Sequence, residues 1–330
     1  MPKNRSSGDL SATDQPPYRP LIRALLFGLA YALIIYGWTR WNAPASGMLV
    51  LGFLLGAPIA ASGVAVAMND PKSVRGAASH VGVSVLTVTV MLVCAGVVLG
   101  EGRVCLVMAA PIFYGAGILG GILTGQMRKA RAGRAMCLAF LVLPLIGVPL
   151  EIDQPPSAET HEVVTRIHVD AAPDAVWKRL TEVRDIAADE HRWSFSHDLV
   201  GVPRPVDARM DGVGVDAVRR VHWADGVEFE EHVSEWESGR TLAWTFRIGP
   251  DASRRILDEH LTVDSDYLRL EEGRYVITPA SRGGSEVTLT TRYWIRTPMN
   301  AYASWWGDIF LGDFHRNVLT IIKRRAEAPA

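Results

Sequence analysis

The chain has 330 residues, with 34 Lys and Arg against 35 Asp and Glu, and a formal charge of −1. That balance conceals a division: residues 1–150 carry 12 basic against 4 acidic side chains, and residues 151–330 carry 22 against 31. A net charge of −9 on the second part argues against a nucleic-acid partner, because phosphate binding needs clustered Lys and Arg.

Residues 1–20 are rich in Ser, Pro, Asp and Arg and have no apolar core, so a disordered tail is expected. Five apolar runs follow, at 21–38, 47–68, 81–100, 104–125 and 135–150. About 20 apolar residues carry a helix across the roughly 30 Å hydrocarbon layer, and an 18-residue run already suffices. Four runs meet that length. The fifth is short and contains Pro144 and Pro149. The first run lacks a small-residue cleavage site and four more follow it, which predicts a retained helix rather than a signal peptide.

Lys and Arg near span ends stay on the cytoplasmic side. Lys3, Arg5, Arg19 and Arg23 precede the first run, Lys72 and Arg75 lie between the second and third, and Arg128, Lys129, Arg131 and Arg134 lie between the fourth and fifth. The intervening turns hold only Arg40 and the pair Glu101 and Arg103. Five crossings with the N-terminus in the cytoplasm put every basic cluster on one side. The expected location is therefore integral to the plasma or inner membrane, with the second half outside the cytoplasm. That half returns to the cytoplasm if 135–150 does not cross.

Within the runs, Gly117, Gly121 and Gly125 repeat at four-residue steps, as do Gly52 and Gly56, a spacing that lets helix backbones approach closely. A transporter would bury ionisable groups inside its spans. Here His80 and Arg103 sit at ends, which predicts an anchor or docking surface. Cys94, Cys105 and Cys137 all lie in the apolar runs, so the second half has no disulfide, thiol ligand or thiol nucleophile.

A linker is expected at 151–159. A strand at 162–169 is followed by a helix start at Asp170, with Pro173 in its first turn and apolar spacing through Val176, Trp177 and Leu180. Residues 183–188 predict a second short helix. The period then changes to two. Strands are predicted at 215–223, 227–236, 241–248, 258–268, 273–279 and 286–295, parted by turn signals such as Asp225-Gly226, Ser238-Gly239 and Gly283-Gly284. A long amphipathic helix at 298–325 closes the chain, with Met299, Tyr302, Trp306, Phe310, Phe314, Val318 and Ile321 at three- and four-residue steps. Its basic end, Lys323-Arg324-Arg325, complements the helix dipole.

This order, and the segments DAAPDAVW at 170–177, GRTLAWTF at 239–246 and LTIIKRR at 319–325, resemble the START-like or SRPBCC superfamily over roughly 160–325. That superfamily includes polyketide cyclases and lipid-transfer domains. The resemblance implies an α+β helix-grip fold, an antiparallel sheet wrapped on a long C-terminal helix with a ligand cavity between them. It would be fused to an all-α transmembrane bundle at 21–150 and leave a short tail at 326–330. The superfamily shares a cavity rather than a catalytic set, so the resemblance implies no catalytic residues.

Candidate cavity residues are Trp223, Trp244, His260, Tyr275, Arg292 and Trp306, since ligand pockets are mostly apolar with a few placed polar groups. Trp305 and Trp306 point about 100° apart, so one faces the sheet and the other its surroundings. Glu228, Glu230 and His232 share a strand face opposite Val227, Phe229 and Val233, and are expected to face solvent. No metal site is expected from His191 and His197, which lack a carboxylate at ligand spacing. No cofactor is implied, because the chain has no phosphate-cradling glycine loop and no nucleophile elbow. The expected partner is a lipid or other hydrophobic small molecule. A cyclase- or dehydratase-like enzyme and a protein-binding membrane protein remain alternatives, and the oligomeric state is open.

Overall fold

The computed structural model describes residues 18–42, 50–72, 74–129, 133–152, 156–256 and 262–328. The first part is helical: α1 (Arg19–Asn42), α2 (Leu51–Leu54), α3 (Gly56–Asn69), α4 (Ala77–Cys94), which runs on into a π-turn at Ala95–Leu99, α5 (Arg103–Met127) and α6 (Gly133–Ile152). Among the described residues, four helices are long and apolar enough to cross a membrane, with α2 and α3 counting as one. The apolar stretch described in the fifth, Leu141–Glu151, is shorter.

The small residues pack as their spacing predicts. A Cβ on Gly117 would press on Val88 and Ser62, on Gly121 against Ser84, and on Gly125 against the His80 ring. Gly52 and Gly56 lie against Val148 and Pro144, so α6 runs antiparallel to α2 and α3. The buried hydroxyls of Ser84 and Thr87 donate to their own backbone one turn back, at the His80 and Val83 carbonyls. His80 and Asp70 form a buried pair at 3.1 Å, and the Asp70 carboxylate also accepts from the Val74 and Arg75 amides. Arg128 donates to the Pro71 carbonyl at the same end of the bundle.

The second part contains β1 (Glu159–Val169), α7 (Pro173–Thr181), β2 (Pro205–Asp211), β3 (Val218–Trp223), β4 (Val227–Glu237), β5 (Thr241–Arg247), α8 (Pro250–Ile256), β6 (Leu268–Pro279), β7 (Ser285–Ile295) and α9 (Asn300–Glu327). One antiparallel sheet runs β1-β7-β6-β5-β4-β3-β2. Only β1 and β7 are distant in sequence, so hairpins build the rest and the first strand closes against the last. Irregular register at Val233/Glu235 in β4 and at Leu270/Glu272 in β6 marks bulges, which bend and twist a sheet. α9 lies along the concave face, burying Val318, Leu319, Ile321 and Ile322 against Leu242, Ile277, Val287 and Leu289. This is the helix-grip arrangement.

Two expectations are corrected, and two elements are added. No strand forms at 262–267, where Asp264 has φ of +63° and Tyr267 Oη accepts from the Thr262 amide; residues 257–261 lie outside the described residues. Residues 268–279 form one long strand instead. At 183–188, Val183 bridges to Ala208 and Asp185 adopts a positive φ of 48°, which no helix tolerates. The edge strand β2 and the short helix α8 lie outside the predicted elements.

The end of the bundle that carries the α5 N-terminus meets the grip domain. Tyr302 Oη donates to the Met108 carbonyl at 2.5 Å, Asn300 Nδ2 donates to the Ser157 carbonyl at 2.9 Å, and the Arg103 guanidinium sits against Gly201.

Candidate functional site

Between the sheet and α9 is a cavity of about 190 Å³. Alternation along the strands aims one side chain in two at it. On β4 the inward set is Val227, Phe229, Glu231 and Val233, and all four are buried. Glu228, Glu230 and His232 face outward, with Glu230 and His232 3.1 Å apart. From α9, Trp306, Phe310 and Phe314 reach the cavity, while Trp305 is half exposed. The first turns of α5 supply Val104 and Met108, so the bundle completes the cavity wall.

One charged pair interrupts this apolar lining. Arg219 on β3 stands directly opposite Glu231 on β4, and its Nε donates to Glu231 Oε2 at 2.5 Å. A second donor, Nη1, bonds to the Leu180 carbonyl at the end of α7, 3.0 Å away. The guanidinium lies 4.5 Å from the Trp244 ring centroid and 5.9 Å from that of Tyr275, within cation–π reach. Arg219 is 5% exposed and Glu231 6%, so the pair is desolvated. Burial pushes the Glu231 carboxyl above its ordinary range, opposed by the charge and hydrogen bond of Arg219 and by the nearby Trp244. Burial likewise pushes the Tyr275 hydroxyl up to about 12. Trp244 lies flat on Gly273, where any Cβ would collide with the indole.

The buried indole N–H groups of Trp223, Trp244 and Trp306 make no hydrogen bond of ordinary geometry. Two of them have an acceptor close by, Trp244 at Glu231 and Trp306 at Tyr302. Together with the Arg219–Glu231 pair, they give an apolar chamber able to bond one oxygen-bearing group.

Of the six residues singled out from sequence, Trp223, Trp244, Tyr275 and Trp306 line the cavity. Arg292 does not. It follows the inward Thr291 on β7, so strand alternation turns it to the outer face, where it pairs with Glu271 at 3.2 Å and Glu272 at 3.0 Å. His260 lies outside the described residues. Arg219 and Glu231 were absent from that sequence set. Their signal was present: a charge at each of two positions that the strand period turns inward.

His315 on α9 is buried between Thr165 Oγ1 at 3.1 Å and Thr291 Oγ1 at 2.8 Å, and burial lowers its pKa to about 3. His197 is bonded through Nδ1 to the Val202 carbonyl, and His191 through Nδ1 to Asn317. Among the described residues, no three metal-ligating side chains come together.

No family model and no curated protein matches the chain. Solved structures do. Truncated norcoclaurine synthase from Thalictrum flavum is 13% identical over 52% of this chain and 98% of its own, with a TM-score of 0.33. The Zhui aromatase/cyclase from a Streptomyces species is 10% identical over 51% and 94%, at 0.31. The di-domain ARO/CYC protein BexL is 16% identical over 64% and 63%, at 0.35.

Proposed function

We propose that the chain is a membrane-anchored binding protein whose grip cavity holds a lipid or similar hydrophobic molecule with one hydrogen-bonding group. The observation that carries this reading is the Arg219–Glu231 pair buried in an otherwise apolar, aromatic chamber. Replacing such a pair by apolar residues usually costs nothing or stabilises, so a fold with no use for it gains little by keeping it. The four apolar helices support the anchoring part. On this reading the N-terminus is cytoplasmic, five helices cross, and the cavity domain lies on the far side with its open end against the bilayer.

The test is to purify the full chain in detergent, extract it, and identify bound molecules by mass spectrometry. The expected result is about one amphiphile of a defined class per chain. Leu270→Trp, which adds bulk to the cavity wall, should lose that molecule while keeping its melting temperature within a few degrees. Equal recovery from both proteins would mean the molecule sits on the bundle, and no recovery at all would overturn the reading.

A second reading, a cyclase- or dehydratase-like enzyme, draws on one observation. A carboxyl with a raised pKa beside an apolar chamber suits proton transfer. The same extraction separates the two. A recovered molecule that is identical from wild type and from Glu231→Gln indicates binding, whereas a molecule recovered altered only from wild type indicates catalysis.

A further inference from the structure

We propose that the cavity is filled sideways from the bilayer, through an apolar passage between α5 and the start of α9. The proposal rests on the reading of the helices as membrane-spanning and of the cavity as a ligand site.

A second hollow of about 140 Å³ lies in the bundle where it meets the grip domain. Its walls come from α2, α4, α5 and residues 297–303, and Leu92, Leu106, Ala109, Ile112 and Phe113 are among them. Three residues, Met108, Thr297 and Ala303, line both this hollow and the grip cavity. The two spaces therefore share a wall built of these residues. Met108 is the most adaptable of the three, because an unbranched thioether chain repacks easily.

The helix surface beside the hollow is apolar and exposed. Beside it the α4 helix widens into its π-turn, a feature common at functional sites. Val93, Val97 and Val98 there are 58%, 79% and 72% exposed, apolar surface that suits hydrocarbon and not water. Among the described residues, the one ionisable carboxyl on the hollow's wall is Glu101, at the bundle end, where Tyr36 Oη donates to it at 3.1 Å.

The far end of the route is polar. Along β7 the mouth residue Ile295 and the deeper Leu289 are six positions apart, roughly 20 Å at the strand rise. Tyr275 pairs with Leu289, and Arg219, Glu231 and Trp244 gather on the neighbouring strands around Tyr275. An acyl chain can thus run from the bilayer hollow past Met108, with its polar end at the Arg219–Glu231 pair. The occupant this selects is a single-chain amphiphile such as a fatty acid. It never needs to cross water.

The test uses the full chain in phosphatidylcholine vesicles containing a photoactivatable, diazirine-bearing palmitic acid, with labelled peptides mapped against time. In the wild type, label should reach the β3–β5 peptides. Ala109→Trp narrows the hollow without touching the grip cavity, and should slow that labelling at least tenfold while leaving the final yield unchanged. Met108→Trp, at the junction, should slow it further. Equal labelling rates in wild type and both variants would overturn the passage and leave the binding site standing. No labelling of those peptides even in wild type, after long incubation, would overturn the binding reading itself. Melting temperatures within a few degrees of wild type exclude misfolding as the cause of slowing.

Discussion

The two halves of this chain place their apolar residues in opposite ways. In the helical half large side chains such as Leu26, Ile34, Val97 and Leu119 point outward, and Gly, Ala, Ser and Thr take much of the interior beside Ile35, Val88, Met91 and Phe113. In the grip half the large side chains point inward, the outer sheet face is charged, and the interior keeps one ion pair. Where no hydrophobic drive holds helices together, small residues supply close packing. Where that drive is strong, a chamber can remain open beside the core. On the proposed reading the second half holds the ligand, and the first half positions it and completes the cavity wall.

The largest test of this contrast is Arg219→Ala. It leaves Glu231 buried without its partner, and breaking such a pair costs about 3–5 kcal/mol. Urea unfolding of the full chain in detergent, followed by tryptophan fluorescence, should show that loss. The double change Arg219→Met with Glu231→Leu should recover most of the stability and none of the ligand. A single variant as stable as wild type would mean the pair is solvated and the contrast is false.

The matching test in the bundle is Gly120→Val. A Cβ there would run into the Ile59 backbone, which cannot move aside as a side chain can. Overpacking of this kind costs about 1–3 kcal/mol. Proteolysis of the vesicle-bound chain should reveal loosening of the helical half while the grip domain stays protected.

Much of this architecture is legible in the chain. The long closing helix, the alternating strands β4, β5 and β7, and the glycine steps all announce themselves, because burial on one face imposes a period. Legibility fails where the period is weak. β2 begins at Pro205, carries Asp207 and Arg209, and lies at the sheet edge, so little of it needs to be apolar. Residues 262–267 have strand-like composition, but a turn built on Asp264, Ser265 and Tyr267 claims their backbone groups. α8 has Pro250 and Asp251 at its start and Arg254 and Arg255 at its end, signals outweighed by its shortness. The site was half legible. Its tryptophans stand out by type, whereas Arg219 and Glu231 resemble the other charges of their strands until register puts them face to face.

Acid should separate the halves in a third way. His315 is held neutral by burial, with its pKa lowered from 6.5 to about 3. The unfolded chain therefore takes up the proton first, and stability falls as pH drops from 6.5 toward 3. At about 1.4 kcal/mol per pH unit, the loss from pH 6.5 to pH 5 is about 2 kcal/mol. Unfolding of the grip domain followed across that range should show the slope, and His315→Gln should flatten it. An unchanged slope in the variant would place the acid sensitivity elsewhere.

The smallest effect is the most discriminating, because it compares two arginines on the same sheet. Arg292 has two carboxylate partners, Glu271 and Glu272, and Arg219 has one, so counting ion pairs would rank Arg292 as the more important. Burial reverses the order. Arg292 and its partners remain substantially exposed, water screens them, and exposed pairs contribute at most about 1 kcal/mol. Arg292→Ala should therefore shift the urea midpoint only slightly and leave bound amphiphile unchanged, whereas Arg219→Ala removes both. Equal losses from the two substitutions would mean that the inner and outer faces of this sheet do not differ in the way their side chains divide them.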